Sequence, residues 1–207
     1  MTRAQRGRPV GASGEETRRR IIVATMRCVA TAGYARATIR EIARTANVTS
    51  ASLYNYFPTK SELMKAAVAA RTDIAVPRLC RAAAGPGDAI ARLEAVLDES
   101  GRLMREYPDL AAFEWVIRAE NAIAVDATAT GEFQAFRGII DGIVEGAFRE
   151  GGLAGRADRS GVAEAVYALI YGLTELAATL APHDYHAALA SAKQLIRGTL
   201  LGTGSPA

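Results

Sequence analysis

Within the first 62 residues a Ser or Thr is followed three positions later by Glu three times: Ser13 with Glu16, Thr38 with Glu41, and Thr59 with Glu62. In such a box the hydroxyl accepts the backbone N–H three residues on and the carboxylate reaches back, so each pair marks a helix start. Starts this close together leave room for short helices joined by tight turns. The rest of the chain is Ala-rich, with apolar residues at the helical period and Gly or Pro as punctuation; no β-branched alternating run of strand length occurs. The expected fold is all-α, with about nine helices.

The first helix is expected over about 15–31, closed by Gly33 in the left-handed region. A short helix follows at 39–45, with Ile39, Ile42, Ala43 and Ala46 on the helical period, then a turn through Ala46-Asn47-Val48. Thr49 or Ser50 caps a third helix to about residue 56, stopped by Phe57-Pro58, and Thr59 opens a fourth to about 76, where Pro77 ends or kinks it. After the break at Ala84-Gly85-Pro86-Gly87, Asp88 caps a fifth helix ending near Tyr107-Pro108. Four more are expected at about 109–125, 131–150, 159–180 and 184–200. The expected organisation is a flexible basic arm at 1–12, a small head at 13–65, a larger helical body at 66–201 and a tail at 202–207.

Charge divides along the same line. Residues 1–65 hold 12 Lys and Arg against 4 Asp and Glu, a net +8, whereas residues 66–207 hold 13 against 18, a net −5. A basic head on an acidic body suits a polyanionic partner at one end only. No uncharged apolar run reaches 18 residues and the N-terminal segment is rich in Arg, Gly and Pro, so a membrane span and a secretory signal are not expected and a cytoplasmic location is. Cys28 and Cys80 have neither disulfide nor metal-ligand spacing and are expected to be structural thiols.

Two short helices joined by three or four residues form a helix-turn-helix, in which the first braces the second for entry into a DNA major groove. Ala43 is small enough for close helix crossing, Asn47 tolerates positive φ, and Val48 and Leu53 point inward. The outward face presents Thr49, Ser50, Ser52, Tyr54, Asn55 and Tyr56, hydroxyl and amide groups with no negative charge among them. The run from Arg18 to Leu63, with Gly33-Tyr34, Thr38-Ile39-Arg40-Glu41-Ile42-Ala43, Val48-Thr49, Leu53-Tyr54, Tyr56-Phe57 and Lys60-Ser61-Glu62-Leu63, resembles the N-terminal domain of the TetR family of bacterial transcription regulators. Asn47 departs from the Gly usual there and keeps the left-handed geometry. By this resemblance Thr38, Tyr54, Tyr56 and Lys60 match phosphate contacts, and Arg40, Ser50, Ala51, Ser52 and Asn55 match positions facing base edges.

The resemblance further implies a helical C-terminal domain that dimerises through its last two long helices and often holds a small-molecule pocket. The chain is accordingly expected to bind double-stranded DNA as a homodimer, through helices near 159–181 and 184–200, and to be a ligand-responsive regulator, a repressor. Alternative readings are an effector-independent regulator or architectural DNA binder and, remotely, a helical enzyme. Nearly every turn of the 159–180 stretch is apolar over more than one face, as in a helix buried against its own domain and a partner subunit.

Aromatic residues Tyr107, Phe113, Trp115, Phe133, Phe136, Tyr167 and Tyr171 can line an apolar effector pocket or simply pack the core. Gly138, Gly142 and Gly146, four apart, point to close helix packing or to room for a ligand, the first being favoured. Arg6-Gly7-Arg8-Pro9 resembles the core of an AT-hook; Arg6 and Arg8 can read a narrow minor groove or supply only nonspecific charge. His183 and His186, with Asp184 between, have a spacing that permits a metal but no further ligand is evident nearby, and neither a metal, a cofactor nor a catalytic residue is expected.

Overall fold

The computed structural model describes residues 10–121, 128–150 and 158–198. They form nine helices and no strand: α1 (Val10–Ala32), α2 (Ile39–Thr45), α3 (Ser50–Tyr56), α4 (Lys60–Ala83), α5 (Ala89–Glu106), α6 (Pro108–Asn121), α7 (Thr128–Arg149), α8 (Arg159–Thr179) and α9 (Pro182–Ile196). Helix starts follow side-chain chemistry. Thr38, Thr49, Thr59 and Asp88 accept the N–H groups of Glu41, Ser52, Glu62 and Ala91 at 3.2, 3.0, 3.1 and 2.9 Å. Asp158 caps α8 in the same way through Gly161 N–H at 2.8 Å. Gly33 closes α1 at φ 82°.

Boundaries of α1, α4, α7 and α9 differ from expectation, α7 beginning at Thr128 rather than near 131. Ser13 does not start α1: the helix is already formed at Val10, taking in residues 10–12 of the expected arm, and the Ser13 carbonyl accepts the Thr17 hydroxyl at 2.9 Å. Gly11 and Gly14 each cost a helix about 1 kcal/mol relative to Ala, too little to stop it. Nor does Pro77 end α4, which continues to Ala83. Pro77 and Asp73 are exposed, so the Asp73 carbonyl that loses its helical donor meets water, and Arg78, one residue on, clasps Glu99 and Glu106 of α5 at 2.5 Å each. Burial alone would push the Glu99 carboxyl up, but hydrogen bonds from Arg78 and Arg102 hold it below its ordinary value. Finally, α9 begins at Pro182, which suits a first turn, and ends at Ile196 before Gly198 at φ 72°. The expected stretch 122–125 and the tail lie outside the described residues.

Two hydrophobic cores divide the buried side chains. One joins Ile21 and Val29 of α1, Ile42 and Ala43 of α2, Leu53 of α3 and Leu63 to Val68 of α4. The other joins the second half of α4 to α5, α7, α8 and α9 through residues such as Leu79, Val96, Leu97, Ile140, Ile170 and Leu189. Two helices serve both. α4 runs unbroken across the boundary expected at residue 65, and α6 sends Phe113 and Ile117 into the first core while Leu110 joins the second. The head core is therefore completed by a helix that begins at Pro108, more than forty residues beyond the expected end of the head.

The glycine stripe of α7 does not pack closely within the chain. Phe136, Ile139, Ile140, Ile143, Val144 and Ala147 form the inward face, so Gly138 and Gly142 turn outward, exposed and with nothing within 4 Å of a methyl built on either. Gly146 alone is buried, beside Arg92 of α5.

Phe113 has no exposed surface. Phe113→Ala should lower unfolding stability by about 3–5 kcal/mol in urea titration, because it empties space in a core shared by α1, α2, α3, α4 and α6. Thr49→Ala should cost about 0.5–2 kcal/mol by the same measurement, and Thr49→Ser should restore most of it, since a hydroxyl alone supplies the cap.

Candidate functional site

The helix-turn-helix is built from α2 and α3. The turn closes when Val48 N–H donates to the Ala43 carbonyl at 2.9 Å and Asn47 N–H to Arg44 at 3.1 Å, which requires Asn47 to stand at φ 55°. Asn tolerates this region without the penalty a branched side chain carries. Ala43, at 2% exposure, lets α3 cross α2 closely, while Leu53 anchors α3 from beneath with no exposed surface.

What remains outward on α3 is Ala51, Tyr54 and Asn55, all exposed, with Ser50 and Ser52 half-buried. Tyr54 is among the few large apolar side chains left exposed, at 48%. Arg40 and Thr38 lie exposed on and before α2. The expected residues of the head thus lie on α2, α3 and the starts of α2, α3 and α4, although their duties differ. Thr38 and Thr49 spend their hydroxyl oxygens as helix caps. Tyr56 packs against the head core, with its hydroxyl 3.9 Å from a methyl built on Gly14 of α1. Lys60 is half-buried: its ammonium donates to the Tyr34 carbonyl and stands 4.3 Å from the centre of the Tyr34 ring. Lys60 therefore ties the start of α4 to the turn between α1 and α2. Arg6 and Arg8 lie outside the described residues.

In the body, a cavity of about 60 Å³ opens where α4, α5, α6, α7 and α8 converge. Val76, Leu79, Leu103, Phe136 and Ile170 are among the apolar residues of its wall. Its charged residues are Arg71 of α4 and Glu114 of α6, joined in an ion pair and exposed at only 6% each. The Arg71 guanidinium also donates to Thr72 at 3.2 Å, so the pair is held by more than mutual attraction. Sequence reading missed both residues. Their signal was a charge at a core position: Arg71 continues the apolar row of Met64, Ala67 and Val68, and Glu114 stands next to buried Phe113.

Of the seven aromatic residues expected around a pocket, Phe136 lines this cavity. Phe113 packs in the head core instead. Trp115, two residues on, projects from a different side of α6 and meets the Tyr171 ring edge-on at 5.7 Å. Tyr171 and Tyr167 lie 6.4 Å apart and Tyr167 and Phe136 6.3 Å, giving a chain of four rings across α6, α8 and α7. Tyr107 borders an open groove of about 570 Å³ between α1, α4 and the α5–α6 corner. The Phe133 side chain lies outside the described residues. His183 lies 3.4 Å from Asp184 and His186 is 2.9 Å from Arg105; no cluster of three metal-binding side chains occurs among the described residues.

Residues 21–67 match the family described as bacterial regulatory proteins, tetR family. The chain is 30% identical over 136 residues to the HTH-type transcriptional repressor KstR of Mycolicibacterium smegmatis, a match covering 66% of this chain and 65% of that protein. It is 32% identical over 139 residues to KstR of Mycobacterium tuberculosis, covering 66% and 60%. The chain thus spans a little under two thirds of the length of these relatives. Among solved structures, FadR from Bacillus subtilis in complex with stearoyl-CoA aligns with a TM-score of 0.75 at 17% identity, over 87% of this chain and 98% of that one. The fatty acid degradation regulator FadR from Bacillus halodurans aligns at 0.74 and 16% identity, over 87% and 97%. The matched segment spans α1 from Ile21, the helix-turn-helix and the first turns of α4, and this segment belongs to the tetR family of bacterial regulatory proteins.

Proposed function

We propose that this chain is a sequence-specific DNA-binding regulator, a repressor, that binds a palindromic operator as a homodimer and is released by a small apolar or aromatic effector. The observation that carries the reading is the outer face of α3: exposed Ala51, Tyr54 and Asn55 beside Ser50 and Ser52, free of acidic residues, on a helix braced by α2 and a left-handed turn. Such a face fits a major groove and offers an amide to base edges. Arg40 is a second base-facing candidate, and Tyr54 a phosphate contact. Lys60 and Tyr56 act in this reading mainly by holding the reading surface in place, given their bonds within the head.

The dimer is supported by α8, with α9 beside it. An 18-residue window of α8 has a mean hydropathy of 1.2, the length and apolarity of a membrane-spanning helix, yet only 17% of it is buried within the chain. Exposed Gly138 and Gly142 on α7 and the open space at Gly172 on α8 leave room for another backbone to approach. A partner subunit laid on this side would cover the apolar surface and set two copies of α3 for half-sites one DNA turn apart or a multiple. The effector is supported by the body cavity. At about 60 Å³ it is well below the roughly 300–1,000 Å³ of ligand-filled sites, so an occupant must spread its walls. One wall is α4, which begins two residues after α3 and its C-cap end. Spreading the body therefore moves the heads, and an occupied cavity and a bound operator oppose each other.

Selection of bound duplexes from a random pool should return a palindrome with the purified chain. Asn55→Ala should relax preference at one position per half-site, by about 1–3 kcal/mol, and leave the other positions unchanged; an unaltered motif would remove Asn55 from base reading. Sedimentation at micromolar concentration should give the mass of two chains, and a single-chain mass would refute the dimer.

A further inference from the structure

Resting on the reading of the body cavity as an effector site, we infer that the Arg71–Glu114 pair selects for an uncharged amphiphile: an apolar tail carrying one hydroxyl that bridges the guanidinium and the carboxylate. Most residues of the wall are apolar and its only charged side chains are Arg71 and Glu114, so the tail has apolar surface and a charged or polar head group has one charged address. At that address positive and negative charge are already balanced and nearly sealed from water. A ligand carboxylate reaching Arg71 must share the guanidinium with Glu114, placing two anions side by side in a buried site. An ammonium reaching Glu114 meets Arg71 in the same way.

A hydroxyl avoids both conflicts because it accepts from the guanidinium while donating to the carboxylate, and leaves the net charge of the site unchanged. Ser100 and Thr174 are the other polar side chains in the wall, and both are neutral. The Thr174 hydroxyl already donates to the Ile170 carbonyl at 3.0 Å, so it does not compensate a ligand anion by donation. The same bridge has a mechanical consequence. Arg71 belongs to α4 and Glu114 to α6, the two helices shared by both cores, so a hydroxyl inserted between them separates the helices where head and body join.

The test uses the full chain and three probes of equal tail length: 1-decanol, decanoate and decylamine. Trp115 is the sole tryptophan, adjacent in sequence to Glu114, and its emission reports occupancy. Decanol should bind at least tenfold more tightly than either charged probe. Glu114→Gln leaves an unneutralised guanidinium and should improve decanoate at least tenfold relative to decanol; Arg71→Met should favour decylamine in the same manner. Should the single variants not fold, Arg71→Met with Glu114→Met replaces the pair by apolar groups, a change that buried pairs tolerate; it should fold and bind decanol at least fivefold more weakly. Decanoate or decylamine matching decanol on the unaltered chain, a probe ranking unmoved by the folded single variants, or an undiminished decanol affinity in the double variant would overturn the selection by charge while leaving the cavity as an effector site. Absence of binding by all three probes up to millimolar concentration would overturn the effector reading together with this inference.

Discussion

The Arg71–Glu114 ion pair stands where the two hydrophobic cores meet, and the relation of head to body depends on it. It joins α4 to α6, and each of these helices contributes apolar side chains to both cores. Two charges at 6% exposure are costly to bury, and their attraction returns that cost only while both remain in place. Removing one partner from such a site costs about 3–5 kcal/mol, whereas replacing both by apolar groups is often neutral. The pair is thus poor evidence for added stability; what it supplies is a buried point of contact between α4 and α6.

A second set of contacts surrounds this seam. Arg27 of α1 bonds Asp109 at the start of α6 at 3.0 Å, and Phe113 fills the head core one turn further along. Below it, Arg78 clasps Glu99 and Glu106, while Lys193 and Arg197 of the C-terminal region bond Asp98 and Glu94 of α5. The exposed members of this network contribute little individually. Their common effect is directional, since they tie α5 to the helices before and after it and leave α4 and α6 as the elements joining both halves.

Local chemistry made most of the fold legible. Short helices are marginal on their own, so α2 and α3, at seven residues each, need capped ends, and Thr38, Thr49 and Thr59 announce those caps by residue type alone. Asn47 and Gly33 likewise mark the two left-handed turns that aim α2 and α3. Ser13 was misleading because a hydroxyl three residues before Glu also fits inside a helix, where its own backbone simply joins the ladder. Pro77 misled for a related reason: an exposed proline leaves the freed carbonyl to water, and α4 continues past it with Leu79 buried in the second core. Of the aromatic residues, Phe113 and Trp115 cannot be assigned from spacing, because helical period tells which residues share a face but not which neighbour that face meets.

The sequence by itself determined the helical class, the helix-turn-helix with its polar, acid-free outer face, and the separation of a basic head from an acidic body. These follow from backbone propensity, capping and net charge, which act over a few residues or need no geometry at all. Tertiary structure alone decided that α6 completes the head core, that Gly138 and Gly142 face outward, that Lys60 is engaged with Tyr34, and that Arg71 meets Glu114 in the wall of a small cavity. Each of these brings together residues far apart along the chain or chooses which face of a helix is covered. That choice is made by how the nine helices of the described residues share two cores, a packing problem with no local signature in the order of the residues.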